Sequence, residues 1–263
     1  MFASTAAGPS LDRSGGVPPR RRRDPAALAA LASLAERTRP LVSSRSRLLP
    51  VPAPLAGLLP DGALRRGTTL VVGDGRRGGG AERTAGERSL ALALVAAASA
   101  SGAWCSLVGW ADLGAEAAEA LGIDLTRLAV VPCPGPAWAE AAAALLEGVD
   151  VVVVCPPVPP RPTMARRLAA RARERRAVLV VVPGRAGWPE GADLVLRVDD
   201  ATWDGAESGL GPLRRRRMTV AAGGRGQAGR SVRCRLWLPD GDGTVRAAEP
   251  AIADRDGIGA VGA

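Results

Sequence analysis

The sequence of 263 residues contains no lysine, no histidine and no tyrosine, so all 35 of its basic residues are arginine. This absence excludes a Schiff-base lysine, a histidine general base, a histidine metal ligand and a Ser-His-Asp triad. Only Asp, Glu, Cys, Ser, Thr and Arg side chains remain for catalysis. The accompanying excess of Ala, Gly, Pro and Arg also fits the codon bias of a GC-rich genome.

Aromatic and cysteine residues are scarce, with six Trp, one Phe and four Cys. So few aromatic rings do not predict a stacking platform for single-stranded nucleic acid. The cysteines form no C-x-x-C pair, and without histidine they predict no zinc site. We interpret them as free thiols of a reducing compartment and expect neither a metal nor another cofactor. They are Cys105, Cys133, Cys155 and Cys234.

Long apolar runs are also absent, since no stretch reaches the roughly 20 apolar residues that a membrane-spanning helix needs. The N-terminus lacks the order of a signal peptide, so the sequence predicts a cytoplasmic protein without a membrane partner. Its net charge of +9 favours an acidic partner, either nucleic acid or an acidic protein face. An arginine-rich surface that is merely solvated is the alternative explanation.

Residues 68–100 have the pattern of a buried strand, a glycine-rich turn and a long Ala/Leu helix. Nucleotide-binding α/β domains place a phosphate loop in this order, with backbone N–H groups and the positive helix end facing the phosphate. The pattern G-x-x-x-x-G-K-[ST] is absent, because the nearest match ends in Gly86-Glu87-Arg88-Ser89. One lysine–phosphate pair is worth roughly 4 kcal/mol, and a micromolar site about 8 kcal/mol in total. The sequence therefore predicts the architecture of an ATPase without its chemistry.

Val-rich runs alternate with helical segments through the middle of the chain. This alternation predicts an α/β fold, in which a mostly parallel sheet is covered by helices on both faces and closed by a C-terminal antiparallel hairpin. The expected strands are residues 104–109, 128–132, 149–155, 177–183 and 193–198, with the hairpin at 213–221 and 232–238, and the expected helices are 87–100, 113–121, 137–147 and 163–175.

Composition also divides the chain into segments. Residues 1–23 are predicted to form a disordered basic tail, and residues 24–47 an N-terminal helix with a linker. Residues 48–238 are the predicted α/β domain, and residues 239–263, rich in Gly and Asp, the predicted flexible C-terminal tail.

Four motifs, in their order and spacing, resemble the core of the RecA recombinase: GALRRGTTLVVG, GERSLALALVAAASASG, AAEALGIDLTRLAVVP and VDVVVVC. The compact length and the terminal RCRLWLP resemble more closely the RecA-like accessory proteins of the bacterial SOS mutasome, the ImuA and actinobacterial ImuA′ type. This resemblance implies a role in damage-induced mutagenesis and translesion synthesis, with nucleoid association after DNA damage. The partners that it implies are ImuB, an inactive Y-family polymerase homologue, and RecA itself.

The positions that carry nucleotide chemistry in RecA hold other residue types in this sequence. Compared with RecA, these are Glu87 for the Walker A lysine, Arg88 for the following Thr, Cys155 for the Walker B carboxylate, Trp110 near the water-activating Glu, and Pro183-Gly184 for the sensor pair. Because groups for phosphate, metal, water activation and sensing are all replaced, the resemblance implies a non-catalytic adaptor. The connections 156–162 and 183–192 are short for DNA-binding loops of the RecA type, so a RecA-type filament is not expected.

Two arginine clusters are candidate surfaces for a protein partner or nucleic acid, one on the helix 163–175 and one in the hairpin. A solvated helix face and a charged edge that prevents sheet aggregation are the alternatives. Trp203 is a candidate interface residue, whereas Trp237 is expected in the core. The candidate surface residues are Arg166, Arg167, Arg171, Arg214, Arg215, Arg216, Arg217, Arg225 and Trp203.

Two other functions stay open on the sequence alone. A direct DNA-binding protein driven by the arginine clusters would lose affinity steeply with salt. A divergent ATPase, in which an arginine replaces the missing lysine, would bind ATP together with Mg²⁺.

Overall fold

The computed structural model describes residues 47–73, 86–184, 187–189, 191–204, 213–224 and 232–253. The predicted N-terminal tail, nearly all of the predicted N-terminal helix and linker, the glycine-rich segment after Gly73, and Arg225 lie outside these residues.

A nine-stranded sheet organises the described part of the chain, and a two-stranded antiparallel ribbon of β1 and β2 precedes it. The strands are β1 (Leu48–Leu49), β2 (Leu64–Arg65), β3 (Thr69–Val72), β4 (Cys105–Val108), β5 (Leu128–Val131), β6 (Val151–Val154), β7 (Val178–Val181), β8 (Leu194–Trp203), β9 (Arg216–Gly223), β10 (Val232–Trp237) and β11 (Arg246–Ala253). The order in the large sheet is β11-β10-β9-β8-β3-β7-β6-β4-β5. Strands β3 to β8 pair in parallel, and β9, β10 and β11 continue the sheet antiparallel from β8.

Side-chain patterning explains why the two halves of the sheet differ. Every residue of β3, β4, β6 and β7 is buried, and their continuous apolar sequences suit strands that are covered on both faces. In β9 and β10 buried and exposed residues alternate, as expected for antiparallel strands with one solvent-facing side.

The helices are α1 (Ala53–Ala56), α2 (Glu87–Ala100), α3 (Ala115–Ala120), α4 (Trp138–Leu145) and α5 (Pro162–Arg175). The apolar face of α2 packs with the segment from Leu49 to Leu64 and with the inward side chains of β9 and β10. Helices α4 and α5 cover the opposite face of the parallel strands. The predicted fold class is confirmed: the chain is a mixed α/β protein, compatible with a RecA-like fold. No helix in the described part combines the length and the apolar character needed to cross a bilayer.

The predicted flexible tail from residue 239 onward is wrong over much of its length. Residues Arg246–Ala253 form β11, which pairs antiparallel with β10 and adds an edge strand to the predicted hairpin. The segment RAAEPAIA carries little strand signal, because it holds one β-branched residue and a proline. Proline is tolerated on an edge strand, and the β10–β11 register shifts twice beside it.

Candidate functional site

A pocket of about 690 Å³ lies at the carboxyl ends of the parallel strands. It is formed by the loops after β4, β5, β6 and β7 and by the first turn of α2. In open α/β sheets ligands bind at the carboxyl ends of the strands, at the switch point where successive connections leave one strand in opposite directions. Here that strand is β3, since the chain passes from β3 to β4 on one side and returns to β8 on the other. The structure therefore places Glu87, Arg88 and Cys155, which the sequence had linked to a lost nucleotide site, in one pocket.

Glu87 occupies the first turn of α2, directly after Gly86, which has a φ of 110°. The side chain is buried, with 7% exposure. A Cβ added to Gly73, at the end of β3, would lie 2.5 Å from Oε1 of Glu87, so the carboxylate packs against that glycine. A carboxylate in the first turn is favoured by the positive end of the helix. An internal anion thus occupies the helix end at which a bound phosphate would be stabilised.

Arg88 is engaged by the loop that follows β4. Its guanidinium forms an ion pair with Asp112, donates to the carbonyl oxygen of Gly109 at 3.4 Å, and lies 5.1 Å from the ring centre of Trp110. The hydrogen bond and the charge of Arg88 lower the pKa of Asp112. Because its guanidinium is held by these three contacts, Arg88 is a poor substitute for a phosphate-binding lysine.

Cys155 follows β6, at the position that the RecA resemblance assigns to a metal-binding carboxylate. Burial raises the pKa of its thiol to about 11, although the neighbouring Arg88 opposes the shift. At neutral pH this thiol stays protonated and carries no charge. Its donor atom is sulfur, whereas Mg²⁺ prefers oxygen ligands, so Cys155 does not replace a metal-binding carboxylate. Across the described residues, no group of three Cys, Asp or Glu side chains comes together in a way that could hold a metal.

Prolines dominate the rim of this pocket, which we call the proline-lined pocket. Phosphate sites are built from backbone N–H groups, and proline has none. The rim therefore offers apolar rings where a nucleotide site would offer donors. The sequence carried this signal after β5, β6 and β7, in VVPCPGP, CPPVPP and VVPG, but it was missed. The rim prolines are Pro132, Pro134, Pro156, Pro157 and Pro183.

Helix α5 presents the first predicted arginine cluster. Arg166, Arg167 and Arg171 are exposed, whereas Leu168 is buried against the sheet. Arg171 does not act alone, because it shares the carboxylate of Glu147 with Arg175 at 2.9 and 2.7 Å. The cluster is therefore partly neutralised at the C-terminal half of the helix.

Arg216 does not belong to the second predicted cluster. Its side chain is buried, its Nε donates to the carbonyl oxygen of Leu238 at 2.9 Å, and its guanidinium lies 5.0 Å from the Trp203 ring centre. Burial lowers the pKa of Arg216. The period of two in β9 explains the correction, because it turns Arg216 inward beside Met218. Trp203, partly buried, is held by this internal contact.

The other arginines of that run do face solvent. Arg214, Arg215 and Arg217 are exposed, and Arg215 forms an ion pair with Asp204. Arg215 also lies 4.4 Å from the ring centre of Trp237. Trp237 is only partly buried and follows the outward period of β10, so its predicted place in the core is wrong.

Comparison with known proteins gives a family match and a similar relative. Residues 57–190 match the family model described as the MT3502 N-terminal domain. The chain is similar to the uncharacterized protein Rv3395c of Mycobacterium tuberculosis (strain ATCC 25618 / H37Rv), with 42% identity over 100 aligned residues. The aligned stretch covers 38% of this chain and 49% of the relative. The match thus spans about half the length of that relative. The family match contains strands β2 to β7 and the proline-lined pocket.

Proposed function

The chain belongs to the MT3502 N-terminal domain family, and we propose that it is a non-catalytic RecA-like adaptor. The finer identity that we propose is an ImuA′-type accessory protein of SOS-induced mutagenesis and translesion DNA synthesis. Its main partner would be an ImuB-type inactive polymerase homologue, with RecA as a second candidate. The observation that carries the proposal is the pocket in which the Glu87 carboxylate occupies the α2 end beside a proline rim.

Electrostatics makes nucleotide binding at this pocket unfavourable. An anion in place of the lysine removes an attraction of roughly 4 kcal/mol and adds a repulsion of similar size, against about 8 kcal/mol for a micromolar site. Arg88, the cation beside it, is already paired with Asp112. With Glu87 in place of the lysine and Arg88 paired with Asp112, no positive charge among the described lining residues remains to attract a triphosphate.

An adaptor needs surfaces rather than reacting groups, and the chain has two kinds. The proline-lined pocket presents apolar rings suited to an extended peptide segment of a partner. The exposed arginines of α5 and the hairpin suit an acidic partner face or DNA. These surfaces lie on different parts of the sheet, so that one protein can contact two partners.

Isothermal titration with Mg²⁺-ATP is expected to show no binding to the full chain. The variant Glu87→Lys is also expected to hydrolyse no ATP, because Cys155 would still supply no metal ligand. Glu87→Gln is the matched control, since it removes the negative charge without adding a positive one. Phosphate release by the Glu87→Lys variant would show that the pocket retains a working ATPase arrangement.

Co-purification tests the partner. We expect the protein, isolated from its own organism after DNA damage, to retain an ImuB-type polymerase homologue through nuclease treatment. Arg166→Gln/Arg167→Gln and Arg214→Gln/Arg217→Gln then show which exposed cluster the partner contacts. A complex that disappears with nuclease would overturn the adaptor proposal in favour of direct DNA binding.

A further inference from the structure

A second pocket, of about 440 Å³, lies at the opposite edge of the sheet, and we call it the basic pocket. It is formed where the chain enters β3 and where α5 ends, at the amino ends of the parallel strands. The four-residue strand β3 separates this edge from the proline-lined pocket by about 13 Å. Arginines from three separate segments line it: Arg47, Arg65, Arg66, Arg173 and Arg176.

Backbone contacts hold these segments together. The N–H of Gly67 donates to the carbonyl oxygen of Ala177 at 3.0 Å, and the N–H of Arg66 donates to that of Arg47 at 2.9 Å. Gly67 has a φ of 81°, and a Cβ there would lie 3.5 Å from the Cα of Arg173. The β2–β3 connection therefore packs directly on the last turn of α5. The pocket has a fixed backbone frame, and its shape does not depend on long side chains alone.

The arginines fall into two groups by their partners. Arg65 is paired with Asp61 at 2.8 Å, and Arg66 with Asp150 at 2.7 Å. In the part of the chain that the structure describes, Arg47, Arg173 and Arg176 form no ion pair, and all three are exposed. Asp61, the one carboxylate among the described residues that line the pocket, is thus paired with Arg65, and Asp150, which does not line the pocket, is paired with Arg66. Among the described residues, three positive charges therefore remain unpaired around one concave surface.

We propose that the basic pocket binds phosphate groups of a nucleic-acid backbone. The guanidinium fork matches the paired oxygens of a phosphate, and a concave cluster of like charges focuses its field on a negative ligand. A polynucleotide brings successive phosphates on one strand, so it can meet several of these arginines at once. The lining holds no aromatic ring and no side-chain amide, so the pocket contacts the backbone and reads no base.

This site is independent of the proposed adaptor role. It uses Arg173 of the same helix that carries the first arginine cluster, but Arg166, Arg167 and Arg171 do not line it. Because it lies at the amino ends of the strands, nucleic acid bound there leaves the proline-lined pocket accessible. The same molecule could hold a protein partner at one edge of the sheet and a phosphate backbone at the other.

Fluorescence anisotropy with a labelled oligothymidylate and a labelled duplex tests the proposal on the full chain. In Arg47→Gln/Arg173→Gln, the slope of log K against log salt is expected to fall by about 0.7 per lost contact for the single strand and about 0.9 for the duplex. Arg161→Gln/Arg197→Gln is the matched control, because it removes two exposed arginines that are unpaired in the described structure and lie outside the pocket. Its slope is expected to stay near that of the unmodified protein.

Arg47→Lys/Arg173→Lys guards against an effect on folding, since it keeps both charges and should retain most of the salt dependence. An equal fall in the salt slope for the pocket variant and its matched control would overturn the proposal, because net charge alone would then explain binding. Polyglutamate that displaces the oligonucleotide as well as unlabelled oligonucleotide does, at equal charge, would also overturn it and assign the pocket to an acidic protein. Failure of the unmodified chain to bind either probe has the same consequence.

Discussion

Replacing Asp150 with asparagine is expected to lower the free energy of unfolding by about 3–5 kcal/mol. The carboxylate is buried and accepts from Nη1 of Arg66 at 2.7 Å and from the N–H of Trp104 at 2.8 Å. The Arg66 side chain is itself only 9% exposed, so the substitution removes a counter-ion at 2.7 Å from a nearly buried guanidinium. Urea denaturation followed by tryptophan fluorescence measures the loss.

Two further variants separate the buried charge from other causes. Asp61→Asn breaks the exposed pair with Arg65 and should cost no more than about 1 kcal/mol. Arg66→Met/Asp150→Asn removes both charges of this pair and keeps an acceptor for the N–H of Trp104, so it should recover most of the stability. If Asp150→Asn costs no more than Asp61→Asn, the pair does not hold the β2–β3 connection to the start of β6.

The parallel half of the fold was predictable because its signal is local. Uninterrupted valine runs such as residues 151–154 and 178–181 can be satisfied only by strands covered on both faces. The bounds differed mainly at strand ends. Cys155 and Val182 lie one residue beyond β6 and β7, although their N–H groups still donate to the carbonyl oxygens of Val108 and Val154 at 2.8 Å. Strand β8 is longer than predicted, because its second half is polar and is held by pairing with β9.

The rest depended on pairing that a single segment does not encode. Strand β11 forms because β10 offers an unpaired edge, and its own sequence has few strand-forming residues. The burial of Arg216 follows from the phase of β9, which a run of four arginines does not reveal.

The sequence predicted which residues lie together at the candidate site, but it did not predict the contacts that they make there. The sequence placed Glu87 and Cys155 at former nucleotide positions, and both line one pocket. The contact of Glu87 with Gly73 and the pairing of Arg88 with Asp112 depend on how α2 sits on the sheet. The basic pocket could not be predicted from the sequence, because Arg47 and Arg173 are distant along the chain and come together only where α5 ends.

Replacing Gly109 with alanine is expected to cost about 2–5 kcal/mol, and the loss should come from two separable causes. Gly109 has a φ of 82°, which costs an alanine roughly 1–2 kcal/mol. A Cβ at this position would also overlap the carbonyl oxygen of Cys155, so the backbone after β6 has to move, at a further cost of about 1–3 kcal/mol.

Gly135→Ala is the matched control for this change. Gly135 lines the same pocket with a φ of 54°, but a Cβ there would meet nothing within 4 Å. It should therefore lose only the conformational part, about 1–2 kcal/mol, in the same denaturation measurement. Equal losses in the two variants would mean that the close approach of Gly109 to Cys155 does not constrain the pocket. A larger loss at Gly109 would show that the loops after β4 and β6 are fixed against each other, because the added Cβ meets the backbone of Cys155. The N–H of Gly109 also donates to the carbonyl oxygen of Val131 at 2.9 Å, which ties the same loop to the end of β5. The proline-lined rim would then be a preformed surface, which binds a partner segment without paying to order its own loops.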